Sequence, residues 1–383
     1  MTHGLTIHEI ATGARAIKTA STSVIGIVCV AEDADDDYFP LDTAVLVTSV
    51  REAIGKAGVS DPDNTLLPSL EAIADQCSPI IVVVRVALGE DDAETATNII
   101  GTTTVGGQLT GMQALLNAPT SLGVKPKILG VPAHDTATVI AALVVIANKL
   151  RAFAYAKPTG ATVANVVTNR ATYSSRNLML IWPDFSDWSG SAVARALGLR
   201  AKIDQEIGWH KTLSNVAVEG VTGLSQNVDF DLFSATTMAG VLNEADITTL
   251  IQYQGFRFWG NHTTSDDPNY LFESASRTNN VLKETIAEGI FFMIDKPITA
   301  VWVKDVLDTI NAKFRSLKAQ GFIQGARAWY DPDVNSATDL ALGIPYIDYD
   351  FTPCAPAENP NLNIRITDRY YADLAAELAA LGS

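Results

Sequence analysis

Between residues 95 and 212 the chain alternates short β-branched runs with longer helical stretches, and this alternation restricts its fold more than any other feature. Gln108–Asn117 reads as a helix, Lys127–Pro132 as a strand and Thr136–Leu150 as a helix, with Asp135 the expected N-cap. Arg151–Ala156 follows as a strand, Ala161–Thr172 as a helix, Asn177–Trp182 as a strand and Ser191–Glu206 as a helix. Strands separated by helices of about 10–15 residues are the mark of an open, mainly parallel α/β sheet.

The flanks read differently. Ahead of residue 95, Val24–Val30, Ala44–Val50 and Ile80–Val86 are expected buried strands, and Ser69–Gln76 a short helix with Leu70, Ile73 and Ala74 on one face. The acidic run Glu90, Asp91, Asp92 and Glu94 marks a surface boundary. Beyond residue 212, Val216–Leu224 and Gly255–Asn261 are β-rich, and two helices follow over about Thr278–Glu288 and Thr299–Gln320. The second carries Val303, Leu307, Ile310, Phe314 and Leu317 as one apolar stripe. Gly321 ends it, and Lys313, Arg315 and Lys318 in its last turns suit the helix dipole.

The two ends of the chain are the least self-sufficient. Leu5, Ile7 and Ile10 nearly alternate with polar residues before Thr12-Gly13-Ala14 breaks the run. At the other end Pro353, Pro356 and Pro360 make Phe351–Asn361 an extended, semi-rigid linker. Leu362, Ile364 and Ile366 then alternate with polar residues, and a short amphipathic helix follows with Tyr371, Leu374, Ala375 and Leu378 on one face. A strand beyond a proline linker has no sequence neighbour to pair with, and an isolated strand is unstable in water. It must add to a sheet edge, of its own domain or of another molecule.

Composition narrows the functional classes. With 47% apolar residues and only 18% charged ones, intrinsic disorder is excluded. Against 43 Asp and Glu stand 27 Lys and Arg, a formal net charge of −16, so the chain lacks the basic balance that nucleic-acid binding needs. The apolar stretches Pro79–Leu88 and Val139–Leu150 are too short to span a bilayer, so no membrane insertion is expected. Cys29, Cys77 and Cys354 have no paired spacing and read as reduced thiols of a soluble protein made in a reducing compartment and not exported by the usual route. At 383 residues, two or three domains are expected.

Candidate chemistry is sparse. Gly106-Gly107-Gln108-Leu109-Thr110-Gly111 precedes a helix but fits neither the dinucleotide fingerprint nor a P-loop, and a turn that opens a helix accounts for it more cheaply. His134 and Asp135 sit where α/β enzymes carry catalytic groups, at the carboxyl end of a strand, yet helix capping explains Asp135. No G-x-S-x-G elbow exists. His262, Asp266 and Asp267 could face one metal, but no second histidine stands at i+4 and an exposed turn is the simpler reading. His210 has no identifiable partner. No catalytic site, metal or cofactor is expected. The basic residues Lys313, Arg315 and Lys318 either form a solvated helix face or dock an acidic partner.

Several segments together resemble the contractile-tail sheath proteins, closely those of temperate Peduovirus-type myophages. They are Ser23–Val28, Lys125–Pro132, Leu180–Phe185, Ala196–Glu206, Gly208–Asn215, Gly255–Asn261, Asp295–Thr299 and Tyr346–Asp350, spread over essentially the whole chain. One departure is His262, where sheath proteins commonly carry Arg.

The resemblance implies a structural subunit rather than an enzyme, part of the virion and assembled in the host cytoplasm. It would polymerise with itself as stacked hexameric rings, a six-start helical tube around the inner tail tube protein, and meet baseplate and tail terminator proteins. It implies an α/β and α+β multidomain fold, with an inner mixed α+β domain built from both ends of the chain (23–94 and 213–350). An outer open α/β domain is inserted at 95–212, with an N-terminal arm at 1–22 and a C-terminal linker, strand and helix at 351–383. Leu5, Ile7, Ile10, Leu362, Ile364 and Ile366 would lie on inter-subunit strand arms that complete a neighbour's sheet. The helix Thr299–Gln320 would face the tube, with Lys313, Arg315 and Lys318 as contacts. The sheath of a phage-derived contractile bacteriocin is the nearest alternative, and an α/β enzyme using His134, Asp135 or His210 a distant one.

Overall fold

The three β-branched runs ahead of residue 95 all become strands of one sheet. The computed structural model describes residues 17–59 and 63–381. In it β1 (Ile25–Val30) is wholly buried, and β2 (Ala44–Val47), α1 (Val50–Ile54) and α2 (Leu66–Ala74) lead to β3 (Ile81–Val86). β1 and β3 pair in parallel, from Ile25 opposite Ile81 to Val30 opposite Val86, and β2 adds antiparallel on the far side of β3. The acidic run after β3 starts a helix, α3 (Asp92–Ile100), whose N-cap Asp91 accepts from Glu94 N at 2.7 Å. Carboxylates are favoured in a first helical turn, so the acidic run, exposed as expected, is also a helix start.

A 3₁₀ turn (Gly111–Asn117) and α4 (Ala118–Ser121) precede the alternating part. It comprises β4 (Ile128–Gly130), α5 (Ala137–Leu150), β5 (Phe153–Ala156), α6 (Val163–Arg170), β6 (Leu178–Ile181) and α7 (Ser191–Glu206). After a long irregular stretch come α8 (Met238–Glu244), β7 (Ile247–Gln252) and β8 (Phe256–Trp259). These eight strands form one sheet in the order β2-β3-β1-β4-β5-β6-β7-β8, with only the edge strands β2 and β8 antiparallel. The chain continues through α9 (Glu273–Ile290), α10 (Ala300–Ala319), β9 (Ile323–Trp329), α11 (Ala337–Ala341), β10 (Asp348–Pro353) and α12 (Tyr370–Leu381). β9 and β10 pair antiparallel as a separate two-stranded sheet.

Strand alternation divides the core into two layers. Ile25, Ile27 and Cys29 of β1 face the side covered by α2 and α7, while Val28 and Val30 face the side covered by α5 and the 3₁₀ turn. β5 does the same with Phe153 and Tyr155 on one face and Ala154 and Ala156 on the other. At Gly130 a Cβ would lie 2.9 Å from Leu197, so a bare backbone there lets α7 lie close on β4. A third apolar cluster joins Val306, Ile310, Phe314 and Leu317 of α10 to Ile323 and Ala328 of β9 and to Tyr349 and Phe351 of β10.

Several expectations shift. The divisions expected at residues 95 and 212 do not separate two sheets, because β4, β5 and β6 lie between β1 and β7 in one hydrogen-bonded array. Parallel strands take neighbours from distant parts of the chain, which a linear reading does not show. Val216–Leu224 makes only isolated bridges, Ala217 with Arg257 and Leu224 with Phe185. Thr136, not Asp135, caps α5: its Oγ1 accepts from Val139 N at 3.4 Å, the third helical residue that a cap serves. The buried stripe of α10 includes Val306, with Val303 and Leu307 only half-buried.

Candidate assembly interface

α9 joins the sheet to the last third of the chain, and it does so with polar side chains. Most of its length is buried, including Glu273, Ser276, Arg277, Asn280 and Glu284. Arg277 and Arg200 of α7 both engage Asp204, at 2.8 Å for Arg277 Nη1 and 2.8 Å for Arg200 Nη2. Arg200 also reaches Glu273 at 3.3 Å, and Tyr155 of β5 donates to the same carboxylate. Burial alone would raise the Asp204 carboxyl, but Arg200 and Arg277 hold it below the ordinary carboxylate range. Further along, Glu284 accepts from Lys125 and Lys127, and Asn280 donates to Asn177 Oδ1 at 2.8 Å. Polar groups in such a setting must be mutually satisfied, so α9 has one seating on the sheet.

α10 lies outside α9 and is buried on one side only. Thr299 caps it, accepting from Trp302 N at 3.1 Å, and Gly321 follows its end in a left-handed conformation (φ 79°). Of the three basic residues in its last turns, Arg315 and Lys318 are exposed. Lys313 is half-buried, its Nζ donating to the Ile17 carbonyl at 3.0 Å and to Thr19 Oγ1 at 2.8 Å. The structure therefore does not bring the three together as one free face.

The C-terminal segment beyond β10 departs from the body with few ties. Cys354 O accepts from Ser274 Oγ at 3.3 Å, and Glu358 meets His262 Nε2 at 3.0 Å. From residue 357 to 381 every residue is exposed. Leu362, Ile364 and Ile366 are 87%, 90% and 101% exposed and form no strand with the described chain. α12 is exposed all round, Tyr371, Leu374 and Leu378 included. Leu5, Ile7 and Ile10 lie outside the described residues.

The candidate chemical groups are scattered. Gly106 and Gly107 sit in an exposed turn bridged by Thr103 and Leu109, ahead of a 3₁₀ turn rather than an α-helix. Asp135 is buried and accepts from Lys157 N; burial, only partly offset by Lys157, pushes its carboxyl up to about 6. His134, lowered by burial, stands beside it at the carboxyl end of β4. α7 begins near there, Gly190 lying against Ala133, and ends near Thr22 ahead of β1, where Asp204 and Thr22 share Arg277. His210 follows α7 and is thus at the opposite end of the sheet from His134, its ring edge-on to Phe322 at 4.9 Å. His262 turns away from Asp266 and Asp267: its Nδ1 meets Asp246 Oδ1 at 2.8 Å and its Nε2 meets Glu358. Asp267 instead caps the turn at Asn269. Among the described residues no group of His, Cys, Asp and Glu is arranged to hold a metal ion.

Two features escaped sequence reasoning. Arg200 and Asp204 stand at i and i+4 within an apolar helix, a signal of a buried pair that went unread. The His262–Glu358 contact joins residues 96 apart, and nothing local announces it.

Comparison with known proteins gives the geometry a context. Residues 22–86 match the family described as tail sheath protein Gp18 domain III N-terminal region. Residues 107–264 match the phage tail sheath protein central domain, and 265–367 the phage tail sheath C-terminal domain. The chain is 51% identical over 391 aligned residues to the tail sheath protein of Escherichia phage P2, covering 98% of each chain. It is 44% identical to the major tail sheath protein of Serratia phage KSP20, covering 99% of this chain and 98% of that one. Among solved structures, the contracted helical sheath of the anti-feeding prophage shares the fold with a TM-score of 0.72 at 18% identity, over 95% of this chain and 99% of that one.

Proposed function

The chain belongs to the phage tail sheath protein family, and on that premise we propose that it polymerises through its terminal arms into a helical tube of hexameric rings around an inner tail tube. It is a structural subunit of a contractile tail and a component of the virion, not an enzyme. The observation that carries the polymerisation reading is the row of apolar side chains from Leu362 to Leu381 left in solvent, in a chain that also carries a separate two-stranded sheet, β9–β10. Alternating Leu362, Ile364 and Ile366 have the pattern of a strand, and backbone pairing with a neighbour's sheet edge would bury them. The N-terminal residues Leu5, Ile7 and Ile10 take the same role in this reading. The solved sheath of the anti-feeding prophage is helical and contracted, which supports the same assembly here.

Contraction in this scheme is mechanical. Subunits move as nearly rigid bodies from a metastable lattice to a more stable one, and the arms keep them connected while interfaces change. The buried polar seating of α9 supports that rigidity. The exposed Arg315 and Lys318 on α10 are the proposed contacts to the inner tube, where opposite charge would set register more than affinity. Baseplate and terminator proteins cap the polymer, and assembly takes place in the host cytoplasm. The relatives are phage sheaths, and nothing in them favours a bacteriocin particle over a phage tail.

Electron microscopy of the purified protein tests this reading. Long, wide tubes are the expected result. Compact particles that never polymerise would overturn it.

A further inference from the structure

Residues 17–22 run back along α9, from Gly289 near its C-terminal end to Arg277 near its N-terminal end, and are fastened at four points. The Ile17 side chain fills the notch at Gly289, where a Cβ would lie 2.5 Å from Ile17 Cδ1 and Cγ2. Lys313 reaches across from α10 to donate to the Ile17 carbonyl at 3.0 Å and to Thr19 Oγ1 at 2.8 Å. Ala20 N donates to Thr285 Oγ1 at 3.3 Å, and Arg277 Nη2 to the Thr22 carbonyl at 3.4 Å. A lysine that spends its charge on a backbone carbonyl fixes the path of the chain rather than the identity of a side chain. The C-terminal segment is held at the end of the same helix opposite the Gly289 notch, where Ser274 donates to Cys354 O. From Ser274 to Gly289 is about 22 Å at the rise of an α-helix.

We propose that Lys313, with the Gly289 notch, is a positioning residue that fixes where and in which direction the N-terminal arm leaves the subunit, and that α9 is the rigid spacer holding the two arm exits apart. This rests on the reading of the arms as inter-subunit strands. Two strands leaving from one point would compete for one acceptor edge. Leaving from opposite ends of a helix seated by buried ion pairs, they address different neighbouring copies of the chain. Lys313 on this assignment serves the arm, and the exposed basic charge in the last turns of α10 is left to Arg315 and Lys318.

The test uses the full chain and reads three quantities: amide hydrogen exchange in residues 17–22, thermal unfolding, and tube formation by electron microscopy. In Lys313→Met, exchange in that segment should accelerate about tenfold to a hundredfold, as expected for losing charged hydrogen bonds. Unfolding should stay at the wild-type temperature, and tube assembly should slow or give tubes of altered helical geometry. Lys313→Arg keeps a donor and should restore both. Gly289→Val, which expels Ile17, should repeat the Met phenotype. Unchanged exchange in Lys313→Met would show that no latch exists. Faster exchange with wild-type tubes would show a latch that positions nothing. Normal tubes from a chain lacking residues 1–16 would instead overturn the underlying arm reading, while the exchange result on the latch would stand separately.

Discussion

β1 and the stretch from Leu362 to Ile366 both carry isoleucines at alternate positions, and the molecule treats them in opposite ways. Ile25 and Ile27 are fully buried between two helical layers, whereas Ile364 and Ile366 are 90% and 101% exposed. Both segments are rich in aliphatic residues. The difference is supply: β1 has β3 and β4 on either side and helices above and below, while the tail leaves the body along a proline linker and pairs with no strand among the described residues. Burying one Leu or Ile side chain is worth about 1.5–3 kcal/mol, and ordering one residue's backbone costs about 1–2 kcal/mol. A docked strand of five residues is therefore a modest link, strong only when repeated through a lattice.

Four measurements would break or sharpen that contrast. The largest effect is expected from deleting residues 362–383: the subunit should keep its unfolding temperature and lose polymerisation altogether, seen as the absence of tubes in electron micrographs. Tubes of normal length would place the tail outside the assembly. Next, Arg277→Met attacks the body instead. It leaves Asp204 buried with one cation fewer, and breaking such a pair costs about 3–5 kcal/mol, to be read from urea unfolding of the free subunit. A loss below about 1 kcal/mol would mean that Arg200 alone satisfies the site.

A smaller and selective change is expected from replacing Arg315 and Lys318 with Glu. Assembly on isolated inner tubes should fall about tenfold, while polymerisation of the protein alone should not change, as for charges that steer a partner. Equal loss of both would assign these residues to sheath contacts. The smallest effect concerns the root of the tail. Burial works against the charged form of His262, but Asp246 and Glu358 outweigh it and raise its pKa; Asp246 is itself paired with Arg170 at 2.8 Å. The stabilisation is therefore complete below the unfolded value of about 6.5 and disappears as pH rises through the folded one. Proteolysis of the 354–361 linker should be a few-fold faster at about pH 8.5 than at about pH 6, and His262→Asn should remove the difference. A linker cleaved equally at both would show that this contact does not hold the tail.

The legible and illegible parts of the molecule divide along the same line. α7 spans Ser191–Glu206 as its periodicity predicts, α10 lies within one residue of expectation at each end, and every strand of the eight-stranded sheet except β7 falls inside a predicted run. β7 went unread, because Thr248 and Thr249 interrupt its apolar character although both are buried. α9 was placed too short: its first turn, Glu273 to Arg277, is polar and charged and reads locally as surface. Only the approach of Arg200, Asp204 and Tyr155 makes that turn interior. The sequence presents the basic end of α10 as three equivalent charges, and the structure distinguishes Lys313 because residues 17 and 19 come to it.

Sequence alone determined what is local or compositional: which segments are helix or strand, which face of each is apolar, and that the proline-linked strand pattern has no neighbour in sequence to pair with. Hydrophobic period and turn chemistry act within a few residues, so they are visible in a short window. Tertiary structure alone decided the strand order that sets β4 beside β1, the pairing of Asp204 with Arg277 across 73 residues, and that of Lys313 with Ile17 across 296. Such pairings are chosen by the packing of whole layers and by the cost of leaving a buried charge unmet, quantities that exist only once distant parts of the chain have come together.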